Sequence, residues 1–278
     1  MDDIKLEKED YTDPACPFCT DQYKNEPPVR AVPVGRIIQK LDEHLSYNDY
    51  DSGEKLLLYW LREAENGHDK RGKLTICNEL MGLYRKTGKK EKALQSLETA
   101  LFLVEETGIE DTVTAGTTFV NAATVYKAFG CPEKSLPVFR KAQTIYEKEL
   151  KENDERLGGL YNNMALTLAD LENFDEAYKY YDKAVSVMMK NKNGELEAAI
   201  TYLNIANALE NEKGLENAES EIAKLIEKAY SLLDTEGIPR DGYYAFVCEK
   251  CAPTFGYYGY FLYNNELKER ARKIYERA

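Results

Sequence analysis

The chain has 278 residues, of which 43% are hydrophobic and 31% charged, and its net charge is −12. That balance excludes a disordered polymer, and the acidic surface argues against nonspecific binding to nucleic acid or an anionic membrane. Nine prolines and 17 glycines are too few for a turn-rich sandwich or barrel, so the composition favours helix.

The chain opens with MDDIKLEKEDY, acidic and polar, without the basic and apolar regions of an export signal. The six cysteines are therefore expected in a reducing cytoplasm, as thiols or metal ligands. Two of them form Cys16-Pro-Phe-Cys19, spaced like half of a zinc knuckle. The linker NEPPVRAVPVG follows, and its prolines favour an extended course. Residues 1–33 read as an extended tail ahead of a helical domain over 34–278.

Ile37, Leu41 and His44, then Leu57 and Trp60, mark a degenerate first helical unit. A period of 42 then emerges: Cys77, Phe119 and Tyr161 align, as do Leu80, Ala122 and Met164, and Met81, Ala123 and Ala165. Further columns hold Ala93, Ser135 and Ala177, then Leu97, Phe139 and Tyr181, then Ala100, Ala142 and Ala184. Apolar columns recur at i, i+3, i+4 and i+7 twice per unit, with a short polar break between, so each unit reads as a helical hairpin. Small columns let two helix backbones approach closely. Pro137 falls inside a second helix, where it either kinks the helix or marks its first turn.

Tyr202, Ile205, Ala206 and Leu209 continue the first-helix columns, and the late arrival of Ile222, Ile226 and Ala229 predicts a longer loop over 211–220. The last unit reads as Phe255, Tyr258, Gly259 and Leu262, then Ala271, Tyr275 and Ala278. The stretch 243–263 is long enough to cross a bilayer, but Glu249 and Lys250 in its middle argue against a span.

These columns resemble the tetratricopeptide repeat, and the 42-residue period is similar to the kinesin-light-chain type. The resemblance covers most of 34–278 and is strongest over 74–190. It departs from the family pattern at the eighth position, where Met81, Ala123, Ala165 or Ala206 stands in place of Gly. It implies an all-α, right-handed superhelical solenoid of antiparallel helix pairs, with about five repeats and a partial or capping repeat at the C-terminus. It also implies a concave face, lined by the first helix of each pair, that binds an extended peptide or protein segment.

No nucleophile, phosphate-loop, dinucleotide or metalloprotease motif is present, so no enzyme activity is expected. His44 reads as a core position and His68 as a loop residue. Asparagines recur on the first helices. Asn78, Asn162 and Asn207 are candidates to grip a peptide main chain, since an amide both donates and accepts. Arg85 and Lys127 are candidates to hold its carboxylates. Asn121, Asn163 and Asn204 read instead as bonds between neighbouring helices.

Cys248-Glu-Lys-Cys251 forms a second pair near the far end. With Cys16 and Cys19 it offers a tetrahedral zinc site of four thiolates, although the halves are far apart in sequence. The expected function is thus a non-enzymatic binding scaffold or receptor. The alternative is a metal-stapled or metal- and redox-sensing array whose tail docks on Cys248 and Cys251 and covers the groove.

Overall fold

The computed structural model describes residues 29–277, and every regular element among them is helical. They divide into two compact units, one ending at Val138 and the other spanning Phe139–Ala278. The first contains α1 (Val34–Ser46), α2 (Tyr50–Asn66), α3 (Lys70–Lys86), α4 (Lys90–Glu106) and α5 (Val113–Ala128). Helix α6 (Pro132–Glu149) begins in the first unit and ends in the second. The second unit continues with α7 (Glu155–Asp170), α8 (Phe174–Met188), α9 (Glu195–Lys213), α10 (Leu215–Leu233), α11 (Gly242–Tyr257) and α12 (Phe261–Tyr275).

Within each unit the helices pack as sequential hairpins. In the first, α3 lies against α2, α4 and α5. In the second, α9 lies against α7, α8, α10 and α11. The hairpin interior is built from the columns that the period defines. Cys77, Leu80, Met81 and Tyr84 of α3 are buried, and so are Tyr161, Met164, Ala165 and Leu168 of α7. Ala177 and Ala184 are fully covered and flank the fully buried ring of Tyr181. Small residues either side of a large ring let the helices approach closely, and burying a ring of this size contributes roughly 2–3 kcal/mol, offset in part because the Tyr181 hydroxyl is buried with no hydrogen-bond partner among the described residues.

Turn chemistry sets the hairpin ends. A left-handed residue stands at each hairpin turn, namely Asn48, Gly88, Gly130, Glu172, Gly214 and Gly259. Glycine takes this conformation without strain; Glu172 takes it with a Cβ present. His68 is the left-handed residue of the α2–α3 link and is exposed, as its reading as a loop residue expects. Asp69 caps α3 by accepting from the amide of Gly72 at 2.8 Å. Its other oxygen accepts from the Val32 amide at 2.9 Å, so the same carboxylate fixes the extended segment before α1.

Three expectations change. The segment 211–220 is not a loop: α9 and α10 run to 19 residues each and meet at Gly214, so the extra residues lengthen the helices. His44 is half-exposed, its Nδ1 lying 3.6 Å from Asp49, because α1 buries only Ile37 and Leu41. The register of the last unit moves by seven residues. Cys248, Cys251, Ala252 and Phe255 are the buried columns of α11, Tyr258 and Gly259 form the turn, and Leu262 is exposed. Seven residues is close to two helical turns, so both registers satisfy the same apolar spacing. Pro137 and Pro253 both lie inside helices, and both are exposed.

Candidate functional site

The first helices of successive hairpins approach one another in each unit: α3 and α5 in the first, and α7, α9 and α11 in the second. Their shared face is bridged by asparagine pairs. On α5, Asn121 Nδ2 donates to Asn78 Oδ1 of α3 at 2.8 Å. Asn78 Nδ2 in turn donates to Thr118 Oγ1 at 3.1 Å and to the Leu74 carbonyl at 3.0 Å. In the second unit Asn204 Nδ2 of α9 donates to Asn162 Oδ1 of α7 at 3.1 Å. Asn163 is satisfied locally by the Gly159 carbonyl at 2.9 Å.

These bonds redistribute the expected roles. Asn78 and Asn162, read from the sequence as groove contacts, are the acceptors of the inter-helix bonds made by Asn121 and Asn204. The sequence separated the two groups by column, whereas the structure joins them across one repeat. Asn207 is exposed, and its side-chain oxygen lies 2.9 Å from the Tyr258 hydroxyl. Arg85 lies exposed in the last turn of α3 and Lys127 half-buried in the last turn of α5. Cations there complement the negative ends of the helix dipoles.

One open cleft of the second unit lies between α9 and α11. It measures about 480 Å³ and is lined by Asn207, Glu210, Asn211, Pro253, Thr254 and Tyr257. Glu210 is its central group. Its Oε1 accepts from the Tyr257 hydroxyl at 2.6 Å and its Oε2 from the Tyr258 hydroxyl at 2.8 Å. The hydrogen bond to Glu210 raises the Tyr257 pKa, and burial together with Glu210 raises that of Tyr258. Both phenols therefore stay protonated donors. Further along the same seam Glu197 accepts from the Tyr243 hydroxyl, and burial raises the Glu197 carboxyl. Of this cluster the sequence points to Asn207 alone as a binding residue, and places Tyr258 in a core column. The signal that would have found the rest is Tyr243, Phe246, Pro253 and Tyr257 falling on one face of a helix whose core face is already complete.

The cysteines occupy core positions. Cys248 and Cys251 are buried in the middle of α11, in the columns that Cys77 and Leu80 fill on α3. Burial pushes the Cys248 thiol up to about 11, and that of Cys251 up to about 12. Without a metal such groups are protonated small hydrophobes at neutral pH. Cys16 and Cys19 lie outside the described residues. Among the described residues no group of three or more His, Cys, Asp or Glu side chains is placed to hold a metal ion. No described helix is long and apolar enough to cross a membrane.

Residues 159–187, most of α7 and α8, match the family model of the tetratricopeptide repeat. No curated protein matches the chain. Among solved structures it is similar to BtubC (BKLC) from P. vanneervenii, with 20% identity, a TM-score of 0.62, and coverage of 74% of this chain and 84% of that one. It is also similar to a kinesin-light-chain candidate from Podosopora anserina with nearly identical TPR-like repeats. There the identity is 16% and the TM-score 0.51, over 71% of this chain and 92% of the other. At these identities the likeness is one of fold.

Proposed function

We propose that this chain, a tetratricopeptide-repeat protein, is a scaffold that holds an extended segment of a protein partner on the face of its first helices. One observation carries the reading. That face is braced by the asparagine bonds, and Tyr–Glu bonds hold Glu210 in a cleft along which Asn207 and Tyr257 are exposed. A preformed surface lowers the ordering cost of holding a chain by many weak contacts. Tetratricopeptide-repeat proteins are generally non-catalytic scaffolds, and we read this chain in the same way. The net charge of −12 directs it away from nucleic acid, and the cytoplasmic placement suggested by its cysteines belongs to the same reading.

The test is selection of linear peptides from a displayed library on the full chain, followed by hydrogen exchange with a selected peptide bound. Added protection on α9 and α11 with none on α10 and α12 is the expected result. Protection confined to the second helices, or failure of every linear peptide to bind, would overturn the reading.

A further inference from the structure

Helix α11 presents a stripe that packing does not call for. Tyr243 is 47% exposed, Phe246 46% and Tyr257 67%, with exposed Pro253 between them. Successive spacings of three, seven and four residues put all four on one face of the helix. The adjacent α9 carries buried Ile200 at the place of Phe246, but exposed Asn207 and Asn211 at the places of Pro253 and Tyr257, so the repeat demands no ring at the last two. Large exposed aromatic side chains on a preformed surface mark contact sites.

The electrostatics of the seam favour one kind of occupant. Glu197 and Glu210 of α9 border the stripe, and each is held in place by tyrosine hydroxyls. A phenol donates a hydrogen bond to a carboxylate without cancelling its charge. Among the described residues neither glutamate has an ion pair, and Lys250 is the nearby cation that offsets part of the Glu197 charge. A carboxylate beside the negative face of a ring attracts an ammonium or guanidinium from two directions, by charge-assisted hydrogen bonding and by cation–π attraction. The stem of a lysine or arginine is apolar and lies well on Pro253 and the Tyr257 ring. Asn207 and Asn211 offer amide groups to the main chain at the same cleft.

We infer that this seam binds the lysine or arginine side chain of an extended polypeptide, with the cation at Glu210 and the neighbouring residues running along Phe246 toward Tyr243. The inference rests on the scaffold reading above and adds the chemistry of the partner. From Tyr243 to Tyr257 the stripe is about 21 Å long at the helical rise, which matches about six residues of extended chain. An acidic segment is repelled from this surface, and so is an anionic membrane.

The test uses the full chain, near-physiological salt and two capped fluorescent heptapeptides, one alternating Ala and Arg and the other alternating Ala and Gln. Fluorescence anisotropy should show the arginine peptide binding at least about tenfold more tightly. Glu210→Gln should remove about tenfold of that affinity and Phe246→Ala several-fold, while Glu216→Gln on exposed α10 changes nothing. Circular dichroism of each variant reports folding separately. Equal losses for Glu210→Gln and Glu216→Gln would show diffuse attraction to an acidic protein and overturn the assignment. Equal binding of the two peptides would overturn the preference for a cation and leave the scaffold reading standing. Absence of binding by either peptide, together with no linear peptide selected from the library, would sink both. A concentration-dependent dimer abolished by Tyr257→Ala would assign the seam to a second copy and overturn the proposal.

Discussion

Asn204 of α9 donates to the side-chain oxygen of Asn162 on α7 at 3.1 Å, and the two residues lie one repeat apart in sequence. Both are partly buried, so losing either leaves the other amide short of a partner in a place where water replaces it poorly. Asn162→Ala and Asn204→Ala should each cost about 1 kcal/mol in urea unfolding. The double variant should cost less than the sum, with a coupling of about 0.5 kcal/mol or more. Additive losses would mean that the bond contributes nothing. Asn162 should therefore register first in stability and only second in any peptide affinity.

The buried cysteines give a chemical readout. Burial pushes the Cys77 thiol up to about 12, as it does Cys251. In the unmodified chain, with labelling mapped residue by residue, a thiol reagent at pH 7 should label half-exposed Cys131 quickly. Cys77, Cys248 and Cys251 should react only when the protein unfolds. Denaturant should release them and a chelator should not. Rapid labelling of Cys248 or Cys251 in the native state, or their release by chelator, would remove them from the core role.

Glu54 of α2 supplies a pH dependence. The side chain is buried, which alone would raise its pKa, but Lys89 and Lys92 bond to it and Tyr84 adds to them. The outcome is a carboxyl lowered to about 2. A depressed folded-state value means that the contribution to stability is present above the ordinary glutamate pKa of about 4.5, and is lost as pH falls from there toward 2. Glu54→Gln should cost about 2 kcal/mol at pH 7, discounted because Lys92 is half exposed. The variant should also show a shallower loss of stability between about pH 5 and 2. Parallel acid profiles for the two proteins would dismiss this cluster as a source of acid sensitivity.

The hairpin repeat was legible because it rests on a pattern that the sequence carries directly. Ala93, Ala177 and Tyr181 declare the helix contact through size alone, and all three are buried. What escaped depends on contacts between residues far apart in the chain. Nothing local tells Asn78 that Asn121 will reach it, and a column alignment sorts them into different groups. The register error at Cys248 has another cause. A shift of seven residues preserves helical phase, and the tyrosines of 257–263 imitate an apolar face while standing partly in solvent. The CxxC spacing in α11 is the i, i+3 step of a core stripe, which spacing alone does not separate from a metal pair. Glu210 and Tyr257 become a site only when α9 and α11 are packed together.

Pro253 separates stability from binding. It sits in the interior of α11, where its ring nitrogen has no hydrogen to offer the Glu249 carbonyl. Its ring also forms part of the wall of the cleft beside Tyr257. Pro253→Ala restores a helical donor at an exposed position and should stabilise the protein by about 1–3 kcal/mol. In a thermal melt that is a rise of several degrees. The same change removes apolar surface from the cleft, so affinity for the arginine heptapeptide should fall a few-fold. A rise in melting temperature with unchanged affinity would take Pro253 out of the binding surface. A fall in melting temperature would show that the fixed proline backbone angle and its packing outweigh the missing hydrogen bond.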